Sequence, residues 1–378
     1  MWNETADPKA SAAASLLHID LDAVAKNYRI LKSHLGGTQC AAAVKADAYG
    51  LGTAQVAPVL AAEGCSTFFV ATIDEGLELR SILPSKKIAI AVLNGVLAGT
   101  ENFFVEHRLI PVLNDPGQID RWRSLTHRLS IPLEAMLHID TGMNRLGLSP
   151  GDLDRVARNP EMLSGPTWRY LISHLASADA PNNPRNEEQL SRFEDAKSRL
   201  PPMPASLSNS GGVFLGSRFH FDLARPGIAL YGGNPTGTPS NPMHQTVRLL
   251  GRILQVRDVE PGMTIGYGGS YEVKAKGRVA TIAAGYADGY LRSGGGKAHV
   301  YLGQVRLPLL GRVSMDLITV DVTGVRPRDA APGNFVELLG DRVTPDEAAD
   351  AAGSISYEIL TGLGGRYHRR YIPPHTVT

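Results

Sequence analysis

Three groups of residues in this sequence are of types and spacings that could do chemistry. The first is the stretch AAAVKADAYG at 41–50, where an apolar run ends on a lone lysine, Lys45, followed by Asp47, Tyr49 and glycine. A lysine at a strand end can simply reach water, where most lysines lie. Held in a desolvated mouth, its amine gives up its proton more readily and can form a Schiff base with a carbonyl. That carbonyl would belong to pyridoxal phosphate (PLP) or to a sugar-like substrate. The second group is SNSGG at 208–212 with ARPGIALYG at 224–232. Glycine-rich backbone at a helix start offers bare N–H groups to a phosphate, and Ser210 adds a hydroxyl; taken alone, a Ser-Gly-Gly turn is common. The third is Arg225, immediately before Pro226. Arginine stays protonated in proteins, so a pyridine nitrogen facing Arg225 would have to stay unprotonated. The plainer reading is a surface or salt-bridging arginine.

The elements that must position these residues can be read from period and punctuation. Between about 40 and 232, eight apolar runs of strand length recur: CAAAV (40–44), TFFVA (67–71), IAIAVL (88–93), LIPVL (109–113), LEAMLHI (133–139), YLISH (170–174), PASLS (204–208) and FDLA (221–224). Helical segments alternate with them. In residues 53–63, Val56, Val59, Leu60 and Glu63 keep helical spacing, with Thr53 placed as N-cap and Gly64 as stop; in 186–200, Asn186 is placed as cap. Eight such repeats predict an α/β protein whose 21–240 segment closes as a (β/α)8 barrel. Lys45 then ends the first strand, and SNSGG and ARPG follow strands seven and eight, on the face where such barrels place their active sites. After about 240 the texture changes to VRLLGRILQV, GRVATIAA, KAHVYL, QVRLPLL, LITVDV and NFVELL between Gly, Pro and Asp turns, which predicts a second, mostly antiparallel β domain over 241–378. The HID piece of the early run LLHIDLDAV (16–24) is expected to supply that domain with a strand at about 14–20.

Composition narrows the partners. The 378-residue chain has 38 basic and 37 acidic side chains and a net charge of +1, so it carries no electrostatic footprint for nucleic acid or membrane. Cys40 and Cys65 are the only cysteines and make no CxxC pair, so neither a disulfide framework nor a zinc site is expected, and no metal. The opening MWNETADPKASAAAS lacks a basic start and an apolar core, and no run reaches membrane-span length, so the chain reads as cytoplasmic.

Seven motifs in collinear order carry a resemblance: VKADAYGLG (44–52), DTGMNRLGL (140–148), ARPGIALYG (224–232), IGYGGSY (265–271), GYADGY (285–290), GRVSMD (311–316) and SYEIL (356–360). Together they resemble the alanine racemase family, from about Leu16 to Tyr371. The resemblance implies a PLP enzyme of fold type III, working as a homodimer whose active sites contain residues of both chains. It implies that Lys45 carries PLP, that Tyr49, Ser210, Gly227, Ile228 and Tyr357 hold the phosphate, and that Arg225 faces the pyridine nitrogen.

By the same resemblance, Lys45 is the base on one face of the substrate Cα and Tyr267 of a second chain the base on the other. His174 is expected to hydrogen-bond that tyrosine and Arg225. Arg145 would contact the cofactor phenolic oxygen and the alanine carboxylate, with the Met315 backbone completing that contact. Tyr286, Met315 and Tyr357 would narrow the pocket, with Asp316 also at its entrance. The sequence departs from the family at His138, where many members carry a carbamylated lysine that positions the arginine matching Arg145; an anion or Asn144 is the expected substitute, and His138 reads equally as a core-facing strand histidine. Leu51 stands where histidine is frequent. Basic amino-acid decarboxylases of the same fold put a carboxylate where Arg225 stands. A broader-specificity racemase, a PLP carrier and a Schiff-base aldolase without PLP are the other readings weighed. The GLGG at 362–365 follows no strand-to-helix unit, so it reads as a turn and not as a dinucleotide loop.

Overall fold

The computed structural model describes residues 8–374. They divide into two compact units, one formed by residues 24–230 and 234–243, the other by the described residues up to 23, by 231–233 and by those from 244 onward.

In the first unit the predicted runs become parallel strands in sequence order. Ala42–Ala43, Thr67–Val70, Ala89–Val92, Ile110–Leu113, Glu134–His138, Thr167–Ile172 and Ala205–Ser206 pair each with the next. Thr67–Val70 and Ile110–Leu113 are buried throughout, as strands covered on both faces must be. The eighth, Leu223–Ala224, pairs parallel with Gln39–Cys40 and closes the ring. The closure is continued by Ala41 N–H donating to Ala224 O (2.9 Å) and Ala43 N–H to Pro226 O (2.9 Å) on one side, and by Arg225 N–H to Ser208 O (2.8 Å) on the other. The fold class read from the sequence is therefore the one observed.

Two of the predicted caps are not. Thr53 is the first residue of the helix Thr53–Ala62, preceded by Gly52 at φ 99°, and its N–H donates to Asp47 Oδ1 (2.7 Å), so the capping acceptor comes from six residues upstream. Asn186 lies inside the helix Arg185–Arg199. Pro184, whose fixed φ suits a helix start, occupies the cap, and Asn183 Oδ1 takes the Arg185 N–H (3.0 Å). Elsewhere the side chains at helix starts behave as their types predict: Thr72 with Glu75 and Ser149 with Asp152 form capping boxes, and Asp115 caps Pro116–Leu129. The sixth strand begins at Thr167 and stops at Ile172, so His174 stands past its end.

The second unit is a mixed, mostly antiparallel sheet. Val247–Val259 is its longest strand, pairing antiparallel with Phe335–Leu339, with Gly277–Ile282 and with Ser15–Asp20. Gly277–Ile282 pairs with Ile318–Asp321, and His299–Leu302 with Val305–Pro308. All six β pieces read from the sequence are strands. The early run splits: Ser15–Asp20 is the strand, and Leu21 already begins the helix Leu21–Leu35. Not anticipated were the helices Pro345–Ala352 and Ser356–Thr361, and the strand His368–Ile372, which runs parallel to Ser15–Asp20.

Candidate active site

Lys45 follows the first barrel strand, and the chain after it turns with the wrong hand. Ala46, Asp47, Ala48 and Tyr49 all have φ between 52° and 56°, a left-handed conformation that costs L-residues roughly 1–2 kcal/mol each. The turn is held from outside. Glu75 Oε1 accepts the Ala46 N–H (2.7 Å), while its Oε2 accepts those of Ala71 (2.7 Å) and Thr72 (3.2 Å) at the end of the next strand. Glu75 thus fixes the residue after the lysine to the neighbouring βα unit. Gly50 and Gly52, both at positive φ, let the chain leave the turn.

The turn carries Tyr49 to the loops after strands seven and eight. A Cβ at Gly227 would lie 2.2 Å from the Tyr49 hydroxyl, so only glycine allows this approach. Ser210 Oγ accepts the N–H of Gly227 (2.9 Å) and of Ala229 (3.2 Å), at the start of the short turn Ile228–Tyr231, and keeps its own proton to donate. Gly211 and Gly212 are equally confined, by the Ala178 carbonyl and by Ser208. Tyr49, Ser210, Gly227 and Ile228 are therefore brought together as a hydroxyl and amide cradle.

Arg225 is 7% exposed and donates to Ser206 Oγ and to the Ser173 carbonyl. Burial lowers its pKa only to about 10, so it stays charged at neutral pH. The surface-arginine reading is thereby excluded. His174 is held neutral: burial first, then Arg225, Arg145, Lys45 and His138, push its pKa well below the usual value. Its expected hydrogen bond to Arg225 is not formed; the guanidinium donates to Ser206 and the Ser173 carbonyl instead. The cation of this pair is the arginine alone. Lys45 has its pKa lowered by burial and by Arg145, against an opposing pull from Glu75.

Arg145 projects from a loop wrapped around one carboxylate oxygen. Asp140 Oδ1 accepts the N–H groups of Gly142 (2.8 Å), Met143 (2.9 Å) and Asn144 (3.2 Å), and the loop returns as Leu148 N–H donates to His138 O (2.8 Å). Asn144 is not the partner of Arg145, which makes no hydrogen bond or ion pair among the described residues.

The remaining predicted residues lie in the second unit. There Gly266 faces the Arg312 backbone, Gly285 lies against Met315 (a Cβ would meet its carbonyl O at 2.3 Å), and Gly289 against Gly362. Three of the seven motifs are thus joined by glycine contacts, and the third contact reaches Gly362, two residues beyond SYEIL. Tyr286 N–H donates to Ser314 O (3.0 Å) and Ala287 N–H to Met315 O (2.9 Å). Arg366 bridges Asp288 (2.9 Å) and Asp316 (2.7 Å). Tyr267, Tyr286, Met315 and Tyr357 are all exposed, Tyr267 the most at 70%. The sequence reading missed Arg366 and Glu75. Glu75 was findable as the last residue of a Thr-x-x-Glu capping box.

A closed barrel with a desolvated lysine after its first strand, a phosphate-type cradle after its last two and a separate β unit defines a class of lysine-dependent barrel enzymes. The chain belongs to the alanine racemase family: residues 19–235 match the model of its N-terminal domain and 246–371 that of its C-terminal domain. It is 48% identical to an alanine racemase of Rhodospirillum rubrum over 95% of this chain and 96% of that protein. It is 46% identical to a catabolic alanine racemase of Mesorhizobium japonicum, over 96% and 94% of the two chains. Among solved structures it resembles alanine racemase from Bartonella henselae with covalently bound pyridoxal phosphate (TM-score 0.92, 39% identity, 95% of this chain and 100% of that one). The biosynthetic enzyme of Pseudomonas aeruginosa is also similar (TM-score 0.88, 34% identity, 96% and 100%).

Proposed function

We propose that the chain interconverts L-alanine and D-alanine with PLP bound at Lys45, moving protons to and from opposite faces of Cα. The observation that carries this reading is the position of Lys45: at the mouth of the barrel, its amine shifted toward the neutral form, among Arg145, Arg225 and two histidines. The residues present fit the cofactor. The cradle of the Tyr49 and Ser210 hydroxyls and the Ile228 amide, with Gly227 held against it by its N–H to Ser210 Oγ, suits a phosphate, with Tyr357 a further phosphate ligand. Arg225, charged and immobile, suits an unprotonated pyridine nitrogen. When bound, PLP supplies an electron-withdrawing ring that stabilises negative charge at Cα, and a charged arginine at its nitrogen moderates that withdrawal.

The chain's own groups do the rest. Lys45 Nζ takes or returns a proton on one face. Tyr267 Oη, contributed by a second copy of the chain, does so on the other, and its 70% exposure here supports that assignment. Each positioned acid or base contributes on the order of 10² to 10⁴ in rate. A phenol is ordinarily a weak base at neutral pH, so this second base depends on the surroundings it meets in the assembled site. His174, neutral, adds no further cation to Arg145 and Arg225. Arg145 and the Met315 amide bind the alanine carboxylate, and Tyr286, Met315, Asp316 and Tyr357 form the entrance and the walls that admit a methyl side chain. The chain works as a homodimer of two-domain subunits divided near residue 240.

D-Alanine supply for peptidoglycan is the role we assign; the catabolic relative is the specific reason to test the opposite direction. The deciding experiment follows the optical rotation of L-alanine with purified protein and added PLP. Decay to zero is expected. A flat trace from protein that holds borohydride-reducible PLP would overturn the reading in favour of a cofactor carrier.

A further inference from the structure

The Met315 N–H makes no hydrogen bond among the described residues, while the carbonyls on both sides of it are taken. Ser314 O accepts the Tyr286 N–H (3.0 Å) and Met315 O the Ala287 N–H (2.9 Å). The peptide joining Ser314 to Met315 is trans, so its N–H points away from its C=O. With that C=O turned toward Tyr286, the N–H is turned away from the 285–290 segment. Gly285 permits the approach, since a Cβ there would run into the Met315 carbonyl. The direction of this free donor is therefore set by how the turn Tyr286–Asp288 seats against residues 314–316.

One side chain, 50 residues beyond Asp316, spans both segments. Arg366 Nε pairs with Asp288 Oδ1 (2.9 Å) in the turn, and its Nη1 donates to Asp316 Oδ1 (2.7 Å), next to Met315. Holding two carboxylates on separate N–H groups in one plane is what a rigid guanidinium fork does and a single ammonium does not. Asp288 is 5% exposed, and its Oδ2 accepts the Gly285 N–H (2.9 Å). Its backbone carbonyl accepts the Gly364 N–H (3.1 Å), two residues before the arginine. The turn is thus tied at both ends to the chain that carries Arg366. We infer that Arg366 is a positioning residue, a clamp that through Asp288 and Asp316 fixes the direction of the Met315 N–H toward the substrate carboxylate. The inference rests on the assignment of Met315 to that carboxylate. The Arg366 and Asp316 side chains are 52% and 53% exposed, so their pairing adds little to stability; its effect is on geometry.

The test compares PLP-loaded wild type with Arg366→Met, Asp316→Ala and the double variant. A contact to the carboxylate is made in the bound substrate and in the transition state alike, so losing it raises KM and spares kcat. Each single variant should raise KM for alanine about tenfold with kcat within about threefold. The double variant should do no worse than the larger single effect, because both changes open one clamp. Hydrogen exchange at the Tyr286 and Ala287 amides should quicken about tenfold or more in each variant, with the strand Gly277–Ile282 unchanged. KM effects that add, wild-type exchange at the two amides, or equal quickening in the strand would each overturn the inference while the wild type still racemises alanine. A wild type that does not racemise alanine overturns the racemase reading and the inference with it. If Arg366→Met does not fold, amide exchange in Asp316→Ala decides.

Discussion

At the scale of single residues, the arrangement turns on which groups hold protons. Tyr267 and Lys45 are assigned to opposite faces, so removing one hydroxyl should not affect both directions alike. Tyr267→Phe should reduce solvent deuterium incorporation at Cα by at least a hundredfold starting from one enantiomer, with a much smaller loss starting from the other. Equal losses from L- and D-alanine in D₂O would show that the two residues do not serve separate faces. The site glycines belong to the same scale. Gly227 is dictated by the Tyr49 hydroxyl and Gly285 by the Met315 carbonyl, so what looks in sequence like flexible filler is a set of close approaches.

At the scale of elements, the turn after Lys45 is the unusual piece. Four successive left-handed residues store about 4–8 kcal/mol, offset locally by Glu75, Asp47 and the flanking strands. Glu75→Gln replaces one accepting oxygen with an NH₂ group facing a backbone N–H. We expect a loss of about 1–3 kcal/mol of stability and a roughly tenfold fall in kcat/KM, read from urea unfolding and steady-state kinetics. An unchanged urea midpoint would mean that Asp47 and the flanking strands hold the turn unaided.

The barrel strands and most of the second sheet were legible because apolar runs and turn residues report them directly. Lys45, Ser210, Gly227 and Arg225 were legible through motif and frame. Glu75 was legible only as a helix cap, because its hold on the Ala46 N–H acts on backbone distant in sequence. The helix Pro345–Ala352 was obscured by its alanines, which give little periodic contrast, and Ser356–Thr361 by its six-residue length.

At the scale of the whole molecule, buried neutral histidines set the acid limit. His18, in the second unit, and His138, in the barrel, each titrate at about 4 against an ordinary 6.5, mainly through burial. Between those values the unfolded chain binds protons that the native chain does not, so stability falls as pH falls from 6.5 toward 4 and is level, from these groups, above 6.5. Each group should remove about 2 kcal/mol between pH 7 and pH 5. Urea midpoints measured at the two pH values check this; a midpoint unchanged or higher at pH 5 would show that the histidines are not held neutral.

The pairing of Ser15–Asp20 with His368–Ile372 also orders events in time. The barrel unit is nearly continuous in sequence and ends at residue 243, so its strands are all available once that point has left the ribosome. The first strand of the chain must wait for one of the last to be made. At about 5–20 residues per second, that leaves the opening segment without its second neighbour for on the order of ten seconds, a window in which a chaperone or another nascent chain could claim its open edge.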